Sequence, residues 1–185
     1  VVDVLRGDTC IEVQTGRFGA MGPKLDRLLD DFHVHVVHPI ALSSWIERRE
    51  LPTRKSPVKG CLHDVFDELV SVPTLLDHPN LTLEVLLVEV DVVKVADASL
   101  RRRRGGWRTV DRRLRRVVDR HGFRTTADLA ALLPADLPAE WTTKDVAQLG
   151  GIARRRAQQM AYVLKANGLV VEVGRDRAGT RYVTA

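Results

Sequence analysis

Two short alternating runs separated by one dipeptide constrain this chain most. Val1 to Arg6 alternates and is β-branched, Thr9 to Thr15 does the same, and Gly7-Asp8 stands between them. Alternation of this kind marks strands. Glycine first in a two-residue loop favours a type II′ hairpin turn. With that turn, Arg6 pairs with Thr9, Leu5 with Cys10, Val4 with Ile11 and Asp3 with Glu12. Directly opposed Cβ atoms lie about 5 Å apart, and like charges there repel. A divalent cation between the carboxylates reverses that repulsion, because Mg²⁺ takes one or two carboxylates plus waters and phosphates. Gln14 shares the face of Glu12, while Ile11 and Val13 point to the opposite, core-facing side.

The next segment is a glycine-punctuated loop with Gly16, Gly19 and Gly22. It lacks the Lys-Ser/Thr of a nucleotide-binding loop. Pro23 suits a helix start. Leu25, Leu28, Leu29 and Phe32 follow at amphipathic spacing, which predicts a helix over 23–32. His33 to His38 reads as a strand stopped by Pro39. Residues 41–60 are ambiguous: Trp45-Ile46 fits a strand or a helix, and 52–60 reads as a basic loop. A helix is expected over 64–70, and 82–95 is rich in strand formers.

The order strand, strand with Glu-x-Gln, helix, strand resembles the PD-(D/E)XK nuclease superfamily, the restriction-endonuclease-like fold. Asp3 matches its metal-binding Asp, and Ile11-Glu12-Val13-Gln14 matches its apolar-acid-apolar-Lys strand. The resemblance covers about the first 40 residues well and 41–100 loosely. It implies that Asp3, Glu12 and the Val13 carbonyl bind Mg²⁺ or Mn²⁺, and that Gln14 positions a water or phosphate. Gln14 departs from the usual lysine and carries no charge. Lys24, at the start of the following helix, can supply it. The fold also usually begins with a further helix and strand. An N-terminal segment is therefore expected before Val1, or another segment or subunit fills its place.

Charge divides the chain. Residues 1–100 hold 10 Lys and Arg against 16 Asp and Glu, while 101–185 hold 19 against 8. Such asymmetry suggests two modules, the second made for a polyanion. We expect a mixed-sheet α/β (α+β) nuclease-like domain over 1–98. A basic linker over 99–106 follows, then a mainly α winged helix-turn-helix over 107–185.

In the second module Trp107, Val110, Leu114, Val117, Val118 and His121 trace one helical face. A short helix is expected over 126–133. Thr142 with Asp145 approximates a capping box. After Gly150-Gly151, Ala153, Ala157, Met160, Ala161 and Leu164 form the buried stripe of the recognition helix. Its other face carries Arg154, Arg155, Gln158, Gln159, Tyr162 and Lys165. Arginine reads guanine and glutamine reads adenine in the major groove. A hairpin over 169–183 presents Arg175 and Arg177 to phosphates or the minor groove. Arg101, Arg102, Arg103 and Arg104 form a second DNA-contacting patch beside Trp107.

Other features read as structural. His33 and His35 share a strand face without an evident third metal ligand, and Cys10 reads as a small buried hydrophobe. Two cysteines are too few for a disulfide framework, and no signal peptide or membrane span is visible. A cytoplasmic protein is expected. Its expected activity is metal-dependent hydrolysis of DNA phosphodiester bonds. The rival is a winged-helix regulator whose degenerate nuclease-like domain serves dimerisation or partner binding. RNA binding by the basic module is a third reading, and a homodimer stays open.

Overall fold

The computed structural model describes residues 2–49, 51–100, 105–177 and 179–185. The protein is α+β with a mixed sheet and several helices. β1 (Val4–Arg6) and β2 (Thr9–Val13) form the expected hairpin, with Val4 opposite Ile11, Leu5 opposite Cys10 and Arg6 opposite Thr9. Gly7 has φ 56°, which the first residue of this turn requires. A 3-10 turn over Phe18–Met21 leads into α1 (Gly22–Leu28), with Pro23 in its first turn. The helix stops short of Phe32. The Leu29 carbonyl accepts from the Asn80 side-chain amide at 2.9 Å, and the chain turns into the next strand.

β3 (His33–Arg48) lies parallel to β2, so α1 is the crossover of a β-α-β unit. The strand runs through Pro39 instead of stopping there. Val37 O accepts from Gln14 N at 2.9 Å and Ala41 O from Gly60 N at 3.0 Å, so odd residues here aim at one edge. Pairing with β2 ends at Val37, and pairing with β4 (Leu51–Lys55) begins at Trp45. Pro39 falls in the gap, where its missing N–H costs no ladder bond. β4 takes the first part of the segment expected as a basic loop, and Trp45-Ile46 is strand.

β5 (Leu81–Ala96) lies between β3 and β6 (Trp107–Phe123). The strand β6 corrects the helix expected over 107–121. Its arginines bond to acids of the adjacent β5, Arg115 to Asp91 at 2.7 Å and Arg116 to Glu89 at 2.7 Å, and Arg113 reaches Glu47 of β3. Opposite charges facing across strands stabilise a ladder. The apolar spacing fits a helix equally well, but only the extended form satisfies partners 24 to 66 positions away. Among the described residues the sheet has six strands in the order β1-β2-β3-β5-β6, with β4 also on β3.

The chain divides into two compact units. Unit 1 comprises 1–38, 63–85 and 121–185; unit 2 comprises 39–62 and 86–120. Unit 1 holds a core around Phe18, Val36, Phe66, Leu69, Leu83 and Leu129, each fully buried. Each such side chain contributes about 1.5–3 kcal/mol by leaving water. Unit 2 buries fewer large side chains, among them Ile46, Val88 and Val92.

Unit 1 also contains α2 (Val65–Leu69), α3 (Thr126–Ala130), β7 (Trp141–Thr142), α4 (Thr143–Leu149), α5 (Arg154–Ala166), β8 (Val170–Asp176) and β9 (Gly179–Thr184). β7, β9 and β8 form a three-stranded sheet in that order. Thr142 and Asp145 make a full capping box at α4, and Thr125 with Asp128 make another at α3. Gly150 must lack a side chain, since a Cβ there would meet Val146 O at 2.8 Å. Ala157, Met160, Ala161 and Leu164 are buried as the expected stripe, Val163 joins them, and Ala153 is instead the exposed N-cap.

Candidate active site and nucleic-acid interface

The register of the β1–β2 hairpin brings Asp3 and Glu12 to its open end. Asp3 lies in a bend before β1, so the backbone ladder stops at Val4. Its Oδ2 accepts from Val13 N at 2.8 Å, continuing the pairing with a side chain. Glu12 belongs to β2, and its Oε2 accepts from Lys24 Nζ at 2.5 Å. The Lys24 side chain is 30% exposed and that of Glu12 14%. Here Coulomb attraction is less screened than in open water. Lys24 comes from the first turn of α1, which Pro23 starts and the buried Met21 and Leu25 seat.

Gln14 follows at the end of β2. Its amide donates to Arg17 O at 2.9 Å and its own carbonyl accepts from His38 Nδ1 at 2.7 Å. His38 is buried and meets Phe18 edge-on at 5.0 Å. Read from sequence as a strand end, His38 instead supports the backbone of Gln14. Alternation in His33 to His38 carried that signal, because it continues inward. Glu68 of α2 likewise accepts from Phe18 N at 3.2 Å and fixes the loop between β2 and α1.

The donor chemistry at the hairpin fits a hard divalent cation, since two carboxylates and a carbonyl are all oxygen ligands. Among the described residues, Asp3 Oδ1 and Glu12 Oε1 take no hydrogen bond. No group of three or more His, Cys, Asp and Glu side chains gathers for a metal among the described residues. The Asp3–Glu12–Val13 set has only two such side chains. His33 and His35 do meet a carboxylate: Glu84 Oε2 lies 3.2 Å from His35 Nε2. Thr82 Oγ1 occupies the remaining His35 nitrogen at 3.2 Å and His33 Nε2 at 3.1 Å.

The expected DNA-reading residues fall on α5 and the β8–β9 hairpin. Arg154, Gln158 and Tyr162 are exposed. Gln159 is half-buried, with an Oε1 that takes no hydrogen bond. Arg155 lies 3.5 Å from Asp67, and Arg156, absent from the expected set, bonds to Asp64. Two cations of α5 therefore face the acidic residues at α2. Lys165 bonds to Glu172 at 2.6 Å, and that bond raises its pKa. Arg175 and Arg177 are exposed and make no ion pair among the described residues. Arg101, Arg102, Arg103 and Arg104 lie outside the described residues. Among the described residues no helix is long and apolar enough to cross a membrane.

The family described as "Domain of unknown function (DUF8091)" matches residues 1–124. That match ends one residue after β6. A protein of Treponema pallidum (strain Nichols), printed as "Uncharacterized protein", is 34% identical over 176 residues, covering 91% of this chain and 69% of the relative. No solved structure matches the chain.

Proposed function

The chain belongs to the family described as Domain of unknown function (DUF8091), and from that premise we propose that it is a DNA-binding, divalent-metal-dependent phosphodiester hydrolase. The reading joins a restriction-endonuclease-like front part to a winged helix-turn-helix. One observation carries it: Lys24 Nζ stands 2.5 Å from Glu12 Oε2. That ammonium supplies the charge that Gln14 cannot, next to the acid that the resemblance makes a metal ligand. The hairpin, the α1 crossover and the parallel β3 support the same reading.

Asp3, Glu12 and the Val13 carbonyl would hold Mg²⁺ or Mn²⁺. Bound there, the ion would supply an activated water and offset phosphoryl charge during in-line attack. Lys24 holds Glu12 in place and adds positive charge beside the scissile phosphate. Gln14 orients the water or a phosphate oxygen through its amide, with His38 and Arg17 setting its position. The winged-helix part is supported by the order α3-β7-α4-α5-β8-β9 and by the β7-β9-β8 sheet. Arg154, Gln158 and Tyr162 would meet base edges, and Arg175 and Arg177 phosphates. A DNA substrate goes with a cytoplasmic location, which the reading includes. Cutting of both strands would take two copies of the chain.

The test is plasmid cleavage with Mn²⁺ by the intact protein and by Glu12→Ala. Loss of cleavage with duplex affinity retained is the expected result. Cleavage that persists in the variant rejects the assignment. A second reading, a winged-helix regulator with a degenerate nuclease-like part, is favoured by the uncharged Gln14, whose amide is taken up by Arg17 O. It expects no saturable Mn²⁺ binding in a calorimetric titration.

A further inference from the structure

Strand alternation gathers four polar side chains on the face of the sheet that turns away from the core. His33 and His35 stand two positions apart on β3, and Thr82 and Glu84 two positions apart on the adjacent β5. Each pair therefore shares one face of its strand. Residues of the opposite parity, Val34 and Val36 on β3 and Leu81 and Leu83 on β5, are fully buried. All four polar residues belong to unit 1 and line a cavity of about 430 Å³, which Gly122 and Arg124 of the same unit also border. That volume is within the range of small-molecule sites.

Hydrogen bonds link the four into one chain. Glu84 Oε2 lies 3.2 Å from His35 Nε2, His35 Nδ1 lies 3.2 Å from Thr82 Oγ1, and Thr82 Oγ1 lies 3.1 Å from His33 Nε2. Donor and acceptor capacity sets its direction. An ionised carboxylate only accepts, so His35 Nε2 carries a proton, and the neutral ring then offers a lone pair at Nδ1. Thr82 donates its single proton to that lone pair and accepts from His33 Nε2. A hydroxyl that donates to an imidazole, whose other nitrogen is held by a carboxylate, is the arrangement that activates a hydroxyl oxygen for attack. The His35 and Glu84 side chains are 33% and 22% exposed, so the chain of bonds is shielded in part and still open to a ligand.

We propose that Thr82, His35 and Glu84 form a centre that hydrolyses small carboxylic esters, independently of the Asp3–Glu12 site and of DNA. Thr82 Oγ1 bonds to the carbonyl carbon while its proton passes to His35 Nδ1. The tetrahedral adduct expels the alcohol, which leaves with that proton, and an ester on Thr82 remains. A water then attacks this ester and gives a proton to His35; the bond to Oγ1 breaks and Oγ1 takes that proton. One carboxylic acid and one alcohol form for each ester and water consumed. Glu84 is a positioning residue: it holds the His35 ring and offsets the charge of the ring while it carries the second proton. Arg124 brings positive charge to the cavity in which the carbonyl oxygen becomes negative.

The test follows hydrolysis of 4-nitrophenyl acetate and 4-nitrophenyl butyrate by the full chain, with acid quenching and peptide mass spectrometry to locate the acyl group. The expected result is saturable turnover with a burst of nitrophenol and an acetyl or butyryl mass on Thr82. Thr82→Ala and His35→Gln should each lower kcat/KM by about 100-fold or more, while Thr82→Ser, which keeps the hydroxyl, should stay within about 10-fold of the parent. Glu84→Gln should lower kcat about 100-fold with KM unchanged, which a loss of folded protein alone would not single out. Thermal melting reports folding; if Thr82→Ala is unfolded, Thr82→Ser and the site of acylation in the parent decide. A parent that does not turn over either ester, a folded Thr82→Ala as fast as the parent, or an acyl group found on another residue overturns the proposal.

Discussion

Lys24 at the start of α1 and Glu12 in the middle of β2 meet through a 2.5 Å contact between Nζ and Oε2. The pair ties the crossover helix to the hairpin strand and sets the charge of the candidate site. Removing the ammonium leaves a partly buried carboxylate with no other ion-pair partner among the described residues. Lys24→Met should lower Mn²⁺-dependent cleavage about 100-fold, the usual scale for losing one stabilising charge. Lys24→Arg should retain part of the activity. Single-turnover cleavage of plasmid measures both, and a Met variant as fast as the parent removes Lys24 from the chemistry.

His38 supports Gln14 from beneath. His38→Ala deletes the bond to Gln14 O and the edge-on contact with Phe18. It should destabilise the fold by about 2–3 kcal/mol, combining a lost cavity-filling ring with an unsatisfied carbonyl. Urea denaturation with an unchanged slope measures this. A midpoint equal to that of the parent would mean that the ring carries no structural load.

The capping boxes make stability depend on acid. Backbone N–H bonds, from Thr142 to Asp145 and from Arg124 and Thr125 to Asp128, hold both carboxyls below their ordinary value of 3.8. A lowered folded-state pKa adds stability that is complete above the unfolded value. That stability is lost as pH falls through the folded value. The melting temperature should therefore drop below pH 3.8, and Asp145→Asn should flatten that drop. Thr142→Ala should cost about 1 kcal/mol at neutral pH. Parallel pH profiles for the parent and Asp145→Asn would contradict the capping role.

If the proposed DNA-binding reading holds, Asp67 competes with the duplex for Arg155. The two lie 3.5 Å apart, with the arginine side chain 80% exposed. Exposed pairs of this kind contribute about 0.2–1 kcal/mol. Asp67→Ala should therefore raise duplex affinity by roughly 1.5- to 5-fold, the same energy expressed as a ratio. Anisotropy titration resolves that range. A weaker complex would show that Asp67 helps to present the helix.

Local rules explain where the sequence could be read. The hairpin register followed from one dipeptide, because a two-residue turn leaves a single pairing. The α4 cap and the buried stripe of α5 followed from spacing within one helix. Lys24 could be named as a source of charge, but its contact with Glu12 needed the path of the 15–21 loop. Residues 107–121 were misread because their apolar spacing fits a helical stripe. Three of their arginines, Arg113, Arg115 and Arg116, find acids on β3 and β5. The extension of β3 through Pro39 likewise depends on a gap between two partner strands.

By itself the sequence determined the elements whose partners are close by: the β1–β2 hairpin, the helix start at Pro23, the Thr142–Asp145 capping box and the β8–β9 hairpin. Their hydrogen bonds and apolar contacts close within a few residues, so local order carries the information. Tertiary structure alone decided the strand character of 107–123, the support of Gln14 by His38 and the meeting of His35 with Thr82 and Glu84. Each of these joins groups far apart in the chain. Ion pairing, burial and hydrogen bonding between such groups are properties of distance in space, which chain spacing does not specify.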